Sequence, residues 1–234
     1  MNSITSPLDR RRHLTGIAFI TPTMLVIIAI LVYPILQSIM LSFGQSSIDG
    51  SEPYQFVGLK HYAALAQSER FWNSLWVTLL FTGLSIPLEL AMGIGLAVLM
   101  NEHFKFKGIA RLAVLFPWAL PTALNTLMWR WMYNTDYGLF NAAALQSGLV
   151  DRPINWLGDE TLAMGSMVVV AVWKTSSFMA LIILAGLQSI PRELYEAGRM
   201  DGMTRWQEFR VITLPLLKGP ILVALIVRSM DALR

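Results

Sequence analysis

The stretch SIPRELYEAGRMDGMTRWQEFRVITLP, residues Ser189–Pro215, is the most charged part of an otherwise apolar chain, and it is rich in residues that start or end helices. Ser189 lies just before Pro191, and this pair predicts a helix start, since serine caps helix N-termini and proline is tolerated in the first turn. Gly202 predicts the end of that helix, because glycine adopts the left-handed backbone conformation at little cost. The first half of the stretch is therefore predicted to form one short helix.

The second half of the stretch predicts a second helix. Thr204 and Gln207 have the spacing of a capping box, in which each side chain bonds the backbone N–H of the other residue. We expect this helix to reach about Thr213 and to break at Pro215, because proline lacks an N–H and its ring clashes with the preceding turn. Two short helices are thus predicted to meet at Gly202, between two apolar spans.

The composition of the chain is typical of a membrane protein. Hydrophobic residues make up 55% of the 234 residues and charged residues only 14%, whereas about a quarter of a soluble domain is charged. The lack of cysteine excludes disulfides and thiolate metal sites, and the spacing of the three histidines predicts no metal centre. The net charge of +3 is small and its basic residues lie in short loops, which favours membrane topology over nucleic-acid binding.

Long apolar segments predict five membrane-spanning helices, since a span needs about 20 apolar residues. Pro117 and Pro121 are expected to break the third of them. The polar tail, residues 1–13, contains Arg10–Arg12 and is predicted to lie in the cytoplasm. The predicted spans cover approximately residues 14–43, 72–100, 109–133, 162–187 and 216–234.

The lysines and arginines of the loops favour one orientation in the membrane. Eleven of them lie in the tail, in the loop after the second span, or in and beside the Ser189–Pro215 stretch, and three lie in the other loops. Because positive residues are enriched on the cytoplasmic side of membranes, the N-terminus and the Ser189–Pro215 stretch are predicted to be cytoplasmic. The chain is therefore predicted to be a multi-pass protein of the cell membrane, embedded in the lipid bilayer.

The Ser189–Pro215 stretch also contains a family motif. It resembles the E-A-A-x-x-x-G-x9-I-x-L-P loop of permease subunits of binding-protein-dependent ABC importers, with glycine in place of the second alanine. Three further segments, FVGLKHY, VWKTSSF and RSMDALR, resemble the carbohydrate branch of this family, the permeases of maltose-type importers. The residues that carry these resemblances are Glu196-Ala197-Gly198, Gly202, Ile212-Thr213-Leu214-Pro215, Phe56–Tyr62, Val172–Phe178 and Arg228–Arg234.

This resemblance implies an all-α polytopic membrane protein in which residues 189–215 form a cytoplasmic two-helix coupling loop. The family usually has six spans, so the five predicted here imply that the transmembrane domain, residues 14–234, is truncated at its C-terminus. In the family this loop docks into a cleft of an ATPase subunit, and small residues on one helix face would let that partner approach closely. The residues expected to couple to the ATPase are Glu196, Ala197, Gly198, Asp201, Gly202, Ile212, Leu214 and Pro215.

The resemblance also implies partners and a solute. The partners are a second homologous permease, a dimer of ABC ATPases and an extracytoplasmic solute-binding protein, and the solute is a sugar or related polyol; no cofactor and no nucleic acid are implied. The chain has no G-x-x-x-x-G-K-[ST] phosphate loop, so ATP hydrolysis is expected on the ATPase partner and the chain itself is not expected to be an enzyme. Two alternatives stay open, a permease for a non-sugar solute and an intramembrane enzyme that uses Glu89, Lys174 and Asp231.

Polar residues inside the predicted spans are candidates for a solute path, because they are costly in lipid and usually face a cavity or a partner. Lys174 lies about half-way through the fourth span, where it and its polar neighbours could bind sugar hydroxyls while Trp173 stacks on a sugar face. The alternative is structural, with Lys174 paired to Glu89 or capping the carbonyls of a kinked helix. The candidate path residues are Asn125, Trp173, Lys174, Ser176 and Ser177.

A second polar set predicts ion pairs within the membrane. Arg228, Asp231 and Arg234 recur at three-residue spacing, so they share one face of the fifth span. We expect them to form an internal ion-pair ladder, with Glu89 of the second span as a further intramembrane charge. Direct contact with the solute is the alternative for these residues.

Overall fold

The computed structural model describes residues 7–45, 54–102 and 104–233, with side chains described from Thr15 onward. Within these ranges the chain is almost entirely helical, and its one sheet is a pair of two-residue strands. The chain forms two compact units, residues 1–73 and residues 74–234. Arg234, which was predicted to join the ion-pair ladder, lies outside the described residues.

The first unit begins with a long apolar helical segment and ends with a small hairpin and a short helix. No residue of the apolar window within Thr15–Ser42 is buried inside the chain, so this segment presents apolar side chains all around. The strands pair antiparallel, with Gly44 opposite Phe56. The elements are α1 (Pro7–Ile27), a π-helical turn (Ile28–Val32), α2 (Tyr33–Ser42), β1 (Gly44–Gln45), β2 (Gln55–Phe56) and α3 (Lys60–Ala66).

The second unit contains the helix Glu69–Asn101 from Ser74 onward and all later elements. Its helices are long where the sequence is continuously apolar and short in the two polar connections. The elements are α4 (Glu69–Asn101), α5 (Lys107–Ala119), α6 (Thr122–Met132), α7 (Leu139–Gln146), α8 (Glu160–Gln188), α9 (Arg192–Met200), α10 (Arg205–Glu208), a second π-helical turn (Phe209–Thr213), α11 (Leu214–Leu216) and α12 (Lys218–Ala232).

Between three and five segments of the described chain are long and apolar enough to cross a membrane. Three are continuous helices, Thr15–Ser42, Glu69–Asn101 and Glu160–Gln188, and their ends lie within three residues of the predicted ones. Two more are bent pairs, α5 with α6 at 94° and Arg205–Leu216 with α12 at 62°. The third predicted span is therefore two helices that meet nearly at a right angle at Leu120, and Pro117 lies inside α5 without ending it.

The two π-helical turns explain how two prolines lie inside helical segments. In a π turn the N–H bonds the carbonyl five residues back, and here Tyr33 N–H bonds Ile28 O and Leu214 N–H bonds Phe209 O. Each turn ends two residues before a proline, Pro34 or Pro215. The shifted hydrogen-bond register accommodates a residue that has no N–H of its own. The predicted helix break at Pro215 is therefore wrong, and the bend comes after Leu216 instead.

Helix α8 lies at the centre of the second unit, with α5 and α12 packed along it. Close approach requires small residues: a Cβ added at Gly93 of α4 would lie 2.9 Å from the Cβ of Met179 and 3.3 Å from the carbonyl oxygen of Ser176. Any larger residue at position 93 would push α4 away from α8. Among the described side chains, the largest fully buried apolar residues are Met100, Met179, Ile183 and Leu217.

Candidate coupling element and membrane cavity

The coupling element is defined as Arg192–Leu216. Its first helix begins without the serine cap that was predicted. Ser189 belongs to the C-terminus of α8, where its hydroxyl donates to the Gly186 carbonyl oxygen at 2.7 Å. Pro191 occupies the N-cap position of α9, which starts at Arg192 and has no side-chain cap. The predicted capping role of Ser189 is therefore wrong, because the serine is used to end the preceding helix.

The end of α9 has the geometry that the glycine predicts. Gly202 has a φ of +79°, in the left-handed region. Its N–H donates to the Arg199 carbonyl at 3.0 Å, and the Met203 N–H donates to the Gly198 carbonyl at 2.9 Å. These two bonds form a Schellman motif, which satisfies carbonyls that a helix end leaves unpaired. The chain therefore turns sharply at Gly202, and the next helix begins three residues later, at Arg205.

The second helix of the coupling element starts at the predicted capping box. The Gln207 side-chain oxygen accepts from the Thr204 N–H at 2.8 Å, and the Gln207 N–H donates to the Thr204 hydroxyl at 3.4 Å. Both bonds satisfy N–H groups at the start of a helix, where no preceding turn can accept them. The junction between α9 and α10 is thus fixed by hydrogen bonds on both sides.

Two side-chain contacts tie α9 to the segment that follows it. Arg199 Nε donates to Glu208 Oε1 at 3.0 Å, and the Tyr195 hydroxyl lies 2.9 Å from the Thr213 hydroxyl. The Arg199 side chain is 66% exposed, so solvent screens much of that ion pair. The Tyr195–Thr213 bond is better shielded, because Thr213 is buried. The coupling element therefore holds its shape through its own contacts.

Gly198 faces inward, away from the exposed side of the element. A Cβ at this position would lie 3.1 Å from Met203 Sδ and 3.2 Å from Ile212 Cδ1. The prediction placed Gly198 on a face of small residues that a partner approaches, but its size instead lets α9 pack against Met203 and Ile212. Ile212 itself is half-buried. The exposed members of the predicted set are Glu196, Ala197, Asp201, Gly202, Leu214 and Pro215.

A cavity of about 480 Å³ lies beside the break between α5 and α6, where α8 and α12 also contribute. Its lining combines aromatic rings, two hydroxyl side chains, two cations and one carboxylate. The lining residues are Trp118, Leu120, Pro121, Thr122, Lys174, Thr175, Phe178, Val227, Arg228 and Asp231.

Lys174 connects α8 to the first residue of α6. Its ammonium donates to the Thr122 hydroxyl at 2.8 Å, immediately after the 94° break. Glu89, the predicted alternative partner, pairs with Arg228 instead. In the part of the chain that the structure describes, no carboxylate lies within 4.0 Å of the Lys174 ammonium. Lys174 therefore presents a cation to the cavity, and its ammonium is hydrogen-bonded to the Thr122 hydroxyl.

Arg228 of α12 joins that helix to α4. Its Nε donates to Glu89 Oε2 at 2.5 Å and its Nη2 to Glu89 Oε1 at 2.9 Å, so the pair is bidentate. Glu89 is fully buried and the Arg228 side chain is 7% exposed. Arg228 Nη1 also donates to Asp231 Oδ2 at 3.3 Å. Of the charges predicted to form ion pairs, Arg228 thus pairs with Glu89 on another helix and with Asp231 on its own helix.

The other predicted path residues do not line this cavity. Trp173 packs edge-on against Trp129, with ring centroids 5.4 Å apart. Ser176 is buried with its hydroxyl 3.2 Å from Met92 Sδ, and Ser177 is buried as well. Asn125 is 3% exposed, and its Oδ1 has no hydrogen-bond partner among the described residues. Of the five candidates, only Lys174 reaches the cavity.

The aromatic wall of the cavity was missed by sequence reasoning. Trp118 and Phe178 stack with their ring centroids 5.9 Å apart and an interplanar angle of 21°. Phe178 follows Lys174 by four residues and so lies on the same face of α8, which is a signal that the sequence contains. Trp118 comes from α5, and nothing local in the sequence indicates that α5 packs there.

Asn141, at the start of the connection between α6 and α8, was also missed. Its amide nitrogen donates to the carbonyls of Thr135 and Ile154 at 3.0 and 2.9 Å. Its oxygen accepts from the Ile154 N–H and from the Trp156 indole at 3.0 and 3.1 Å. One buried amide thus organises a connection whose composition predicts only a polar loop.

Comparison with known proteins identifies the family. The model of the family described as "Binding-protein-dependent transport system inner membrane component" matches residues 89–234, which include the cavity residues of α5–α12 and the whole coupling element. The chain belongs to this family. It is a membrane permease subunit of the ABC importer type, with the helical fold that the motif predicts.

Individual relatives are similar along most of the chain. The trehalose/maltose transport system permease protein MalF of Thermococcus litoralis is 40% identical over 233 residues, which is 100% of this chain and 78% of that protein. The sulfoquinovosyl glycerol transport system permease protein SmoG of Agrobacterium fabrum is 39% identical, over 97% of this chain and 73% of that protein. A solved bacterial ABC transporter involved in the import of the acidic polysaccharide alginate matches with a TM-score of 0.80 and 26% identity, over 96% of this chain and 75% of that one.

Proposed function

We propose that this permease forms one side of the translocation path for a sugar or related polyol, and that the cavity beside Lys174 is part of that path. The observation that carries the proposal is the cavity lining. Trp118 and Phe178 offer a flat aromatic wall, and Lys174, Thr122 and Asp231 offer donors and acceptors beside it. Such a mixture suits a ring that has both C–H faces and hydroxyl groups. The names of the two relatives MalF and SmoG support a sugar over a non-sugar solute.

The partners in this proposal are those of an importer complex. They are a second homologous permease, a dimer of ABC ATPases and an extracytoplasmic solute-binding protein. One solved relative is a bacterial alginate ABC transporter in complex with an alginate pentasaccharide-bound periplasmic protein, which supports the binding-protein partner. ATP hydrolysis takes place on the ATPase subunits, since this chain has no phosphate loop.

The proposed orientation places the N-terminus and the coupling element in the cytoplasm, within the inner membrane. The charge asymmetry of the loops supports this orientation. The chain has no cysteine, so Glu196→Cys and Asp151→Cys give clean single labelling sites. A membrane-impermeant thiol reagent is expected to label position 151 but not position 196 in intact cells. Labelling of position 196 alone would reverse the orientation.

In this proposal the coupling element transmits ATPase closure to the cavity. The residues proposed to meet the ATPase are four of the exposed ones: Glu196 and Ala197 on α9, Asp201 at its C-cap, and Gly202 at the turn. The helical segment Arg205–Leu216 leads from them directly to α12, which lines the cavity with Arg228. Gly198 and Ile212 contribute by packing inside the element, so that it moves as one body.

Uptake of radiolabelled maltose or trehalose by proteoliposomes that contain the complete transporter tests the proposed function. Lys174→Met is expected to lower uptake at least tenfold while the yield of assembled complex stays unchanged. Lys105→Met is a matched control, because it removes an exposed lysine from a loop outside the cavity. Normal uptake by Lys174→Met, or no uptake of any sugar by the wild-type complex, would contradict the proposal.

A further inference from the structure

The last part of the coupling element, the helical segment Arg205–Leu216, carries apolar side chains that the described chain leaves uncovered. Trp206 is 67% exposed and stacks on the half-buried ring of Phe209, with ring centroids 5.6 Å apart and an interplanar angle of 23°. Val211 and Leu214, in the following turns, are exposed as well. A cluster of exposed apolar side chains marks a contact with a membrane or with another protein.

Three cations accompany these apolar side chains. Arg205 and Arg210 belong to the same segment and Lys218 begins α12, and all three are exposed. Within the described ranges, no carboxylate lies within 4.0 Å of their charged groups. Glu208, the acidic residue of the segment, is buried and bonded to Arg199 instead. The segment therefore exposes apolar side chains and positive charge together.

The segment also leads directly into a membrane-spanning helix. Arg205–Leu216 and α12 pass the length and hydropathy requirement for a span as a pair, and they meet at an angle of 62°. With α12 along the bilayer normal, the segment lies nearer to the membrane plane than to the normal. A helical segment in that position, with exposed aromatic, aliphatic and basic side chains, is typical of the boundary between lipid headgroups and acyl chains.

We propose that the segment Arg205–Leu216 docks on the lipid headgroups beside α12 and that it favours anionic phospholipids. Tryptophan is enriched at this boundary, because its ring is apolar while its indole N–H stays hydrated. Each lysine or arginine near an anionic leaflet strengthens binding by about fivefold, and its long side chain reaches the phosphate groups. The inference goes beyond the proposed function, since it concerns lipid and not solute; the proposed orientation makes this leaflet the cytoplasmic one.

The ATPase partner is the alternative occupant of this surface. Lipid is favoured because exposed apolar side chains continue along the chain through Leu216 to Leu222, Val223 and Ile226 of α12, within the predicted span. The cations beside them suit phosphate groups, which offer several acceptor oxygens each.

Fluorescence quenching by spin-labelled lipids tests the proposal on the complete transporter in nanodiscs. The chain has no cysteine, so Val211→Cys carries a single bimane fluorophore, attached to the permease before assembly with its partners. The discs contain phosphatidylcholine and phosphatidylglycerol, and one of the two carries a spin label near its headgroup. We expect quenching at position 211 that is roughly threefold stronger by phosphatidylglycerol than by phosphatidylcholine. In an Arg205→Gln/Arg210→Gln background, quenching should persist and the preference should fall to near parity.

Met200→Cys is the matched control, because Met200 is apolar and 88% exposed but belongs to α9, before the turn. A fluorophore there is expected to show no quenching. Absence of quenching at position 211 would overturn the proposal, and so would quenching that the isolated permease shows and the complete transporter loses, which would assign the surface to the ATPase. Equal quenching by the two lipids without the arginine changes would contradict the anionic preference.

The outcome is independent of the proposed function. Both leaflets of a nanodisc have the same composition, so quenching does not depend on the orientation of the chain, and no solute is present in the assay. A transporter that takes up no sugar but shows the expected quenching would refute the proposed solute and leave the lipid contact standing. A transporter that takes up sugar without this quenching would do the reverse.

Discussion

The coupling element and the cavity are built in opposite ways. In the coupling element, the hydrogen bonds that set its shape join residues within about 20 positions of one another, such as Thr204 with Gln207 and Tyr195 with Thr213. At the cavity, Lys174 bonds a hydroxyl 52 residues away and Arg228 pairs with a carboxylate 139 residues away. The coupling element is thus specified by its own sequence, whereas the cavity exists only when four helices have packed.

This difference explains what the sequence could predict. The turn at Gly202 and the capping box depend on neighbouring residues, and both were predicted correctly. The three long apolar helices follow from apolar length alone, and their ends lie within three residues of the predicted span ends. The helix break predicted at Pro215 from its neighbouring residues was wrong. The π-helical turn before this proline shifts the hydrogen-bond register, and the residue types in that turn do not indicate the shift.

The cavity was predictable only in part, for the same reason. Lys174 was found because a cation within an apolar span is conspicuous. Its neighbours Trp173, Ser176 and Ser177 were chosen by proximity in sequence, but successive residues on a helix face different directions. Trp118 and Thr122 reach the cavity through the packing of α5 against α8 and the 94° bend. No short stretch of the sequence indicates this packing or this bend.

The largest expected effect comes from breaking the long-range ion pair. Glu89→Gln leaves Arg228 buried without its main counterion, and we expect a loss of about 3 kcal/mol in stability, since removing one partner of a buried pair is costly. Thermal unfolding of the purified complex in detergent measures this loss. The double variant Glu89→Gln/Arg228→Met is expected to recover part of it. A Glu89→Gln protein as stable as the wild type would mean that the cavity does not depend on distant contacts.

A smaller effect is expected at the turn of the coupling element. Gly202→Val places a branched side chain in the left-handed conformation, at a cost of roughly 1–2 kcal/mol, although nothing in the described chain lies within 4 Å of the new Cβ. Binding of the ATPase subunit in a pull-down should weaken, while solute binding should not. Gly202→Asn is the control, because asparagine tolerates this conformation. Equal weakening by valine and asparagine would point to loss of space for the partner instead of backbone strain.

The smallest effect is expected from the capping box. Thr204→Ala removes a hydroxyl that accepts from the Gln207 N–H, and an N-cap substitution of this kind costs about 1 kcal/mol. Because the contact is local, we expect faster hydrogen exchange in residues 205–208 and no change at the cavity residues. Thr204→Ser, which keeps the hydroxyl, is the matched control. Altered exchange in α8 would show that the coupling element is less self-contained than its contacts indicate.

One paired measurement on the complete transporter tests most directly whether the coupling element and the cavity depend on separate contacts. Glu196→Lys changes an exposed charge of the coupling element, and Lys174→Met changes the cavity. ATPase-subunit retention and maltose or trehalose binding are measured on both variants in the same preparation. The account predicts that Glu196→Lys loses ATPase retention and keeps sugar binding, and that Lys174→Met does the reverse. Loss of both properties in either variant, or normal ATPase retention by Glu196→Lys, would contradict it.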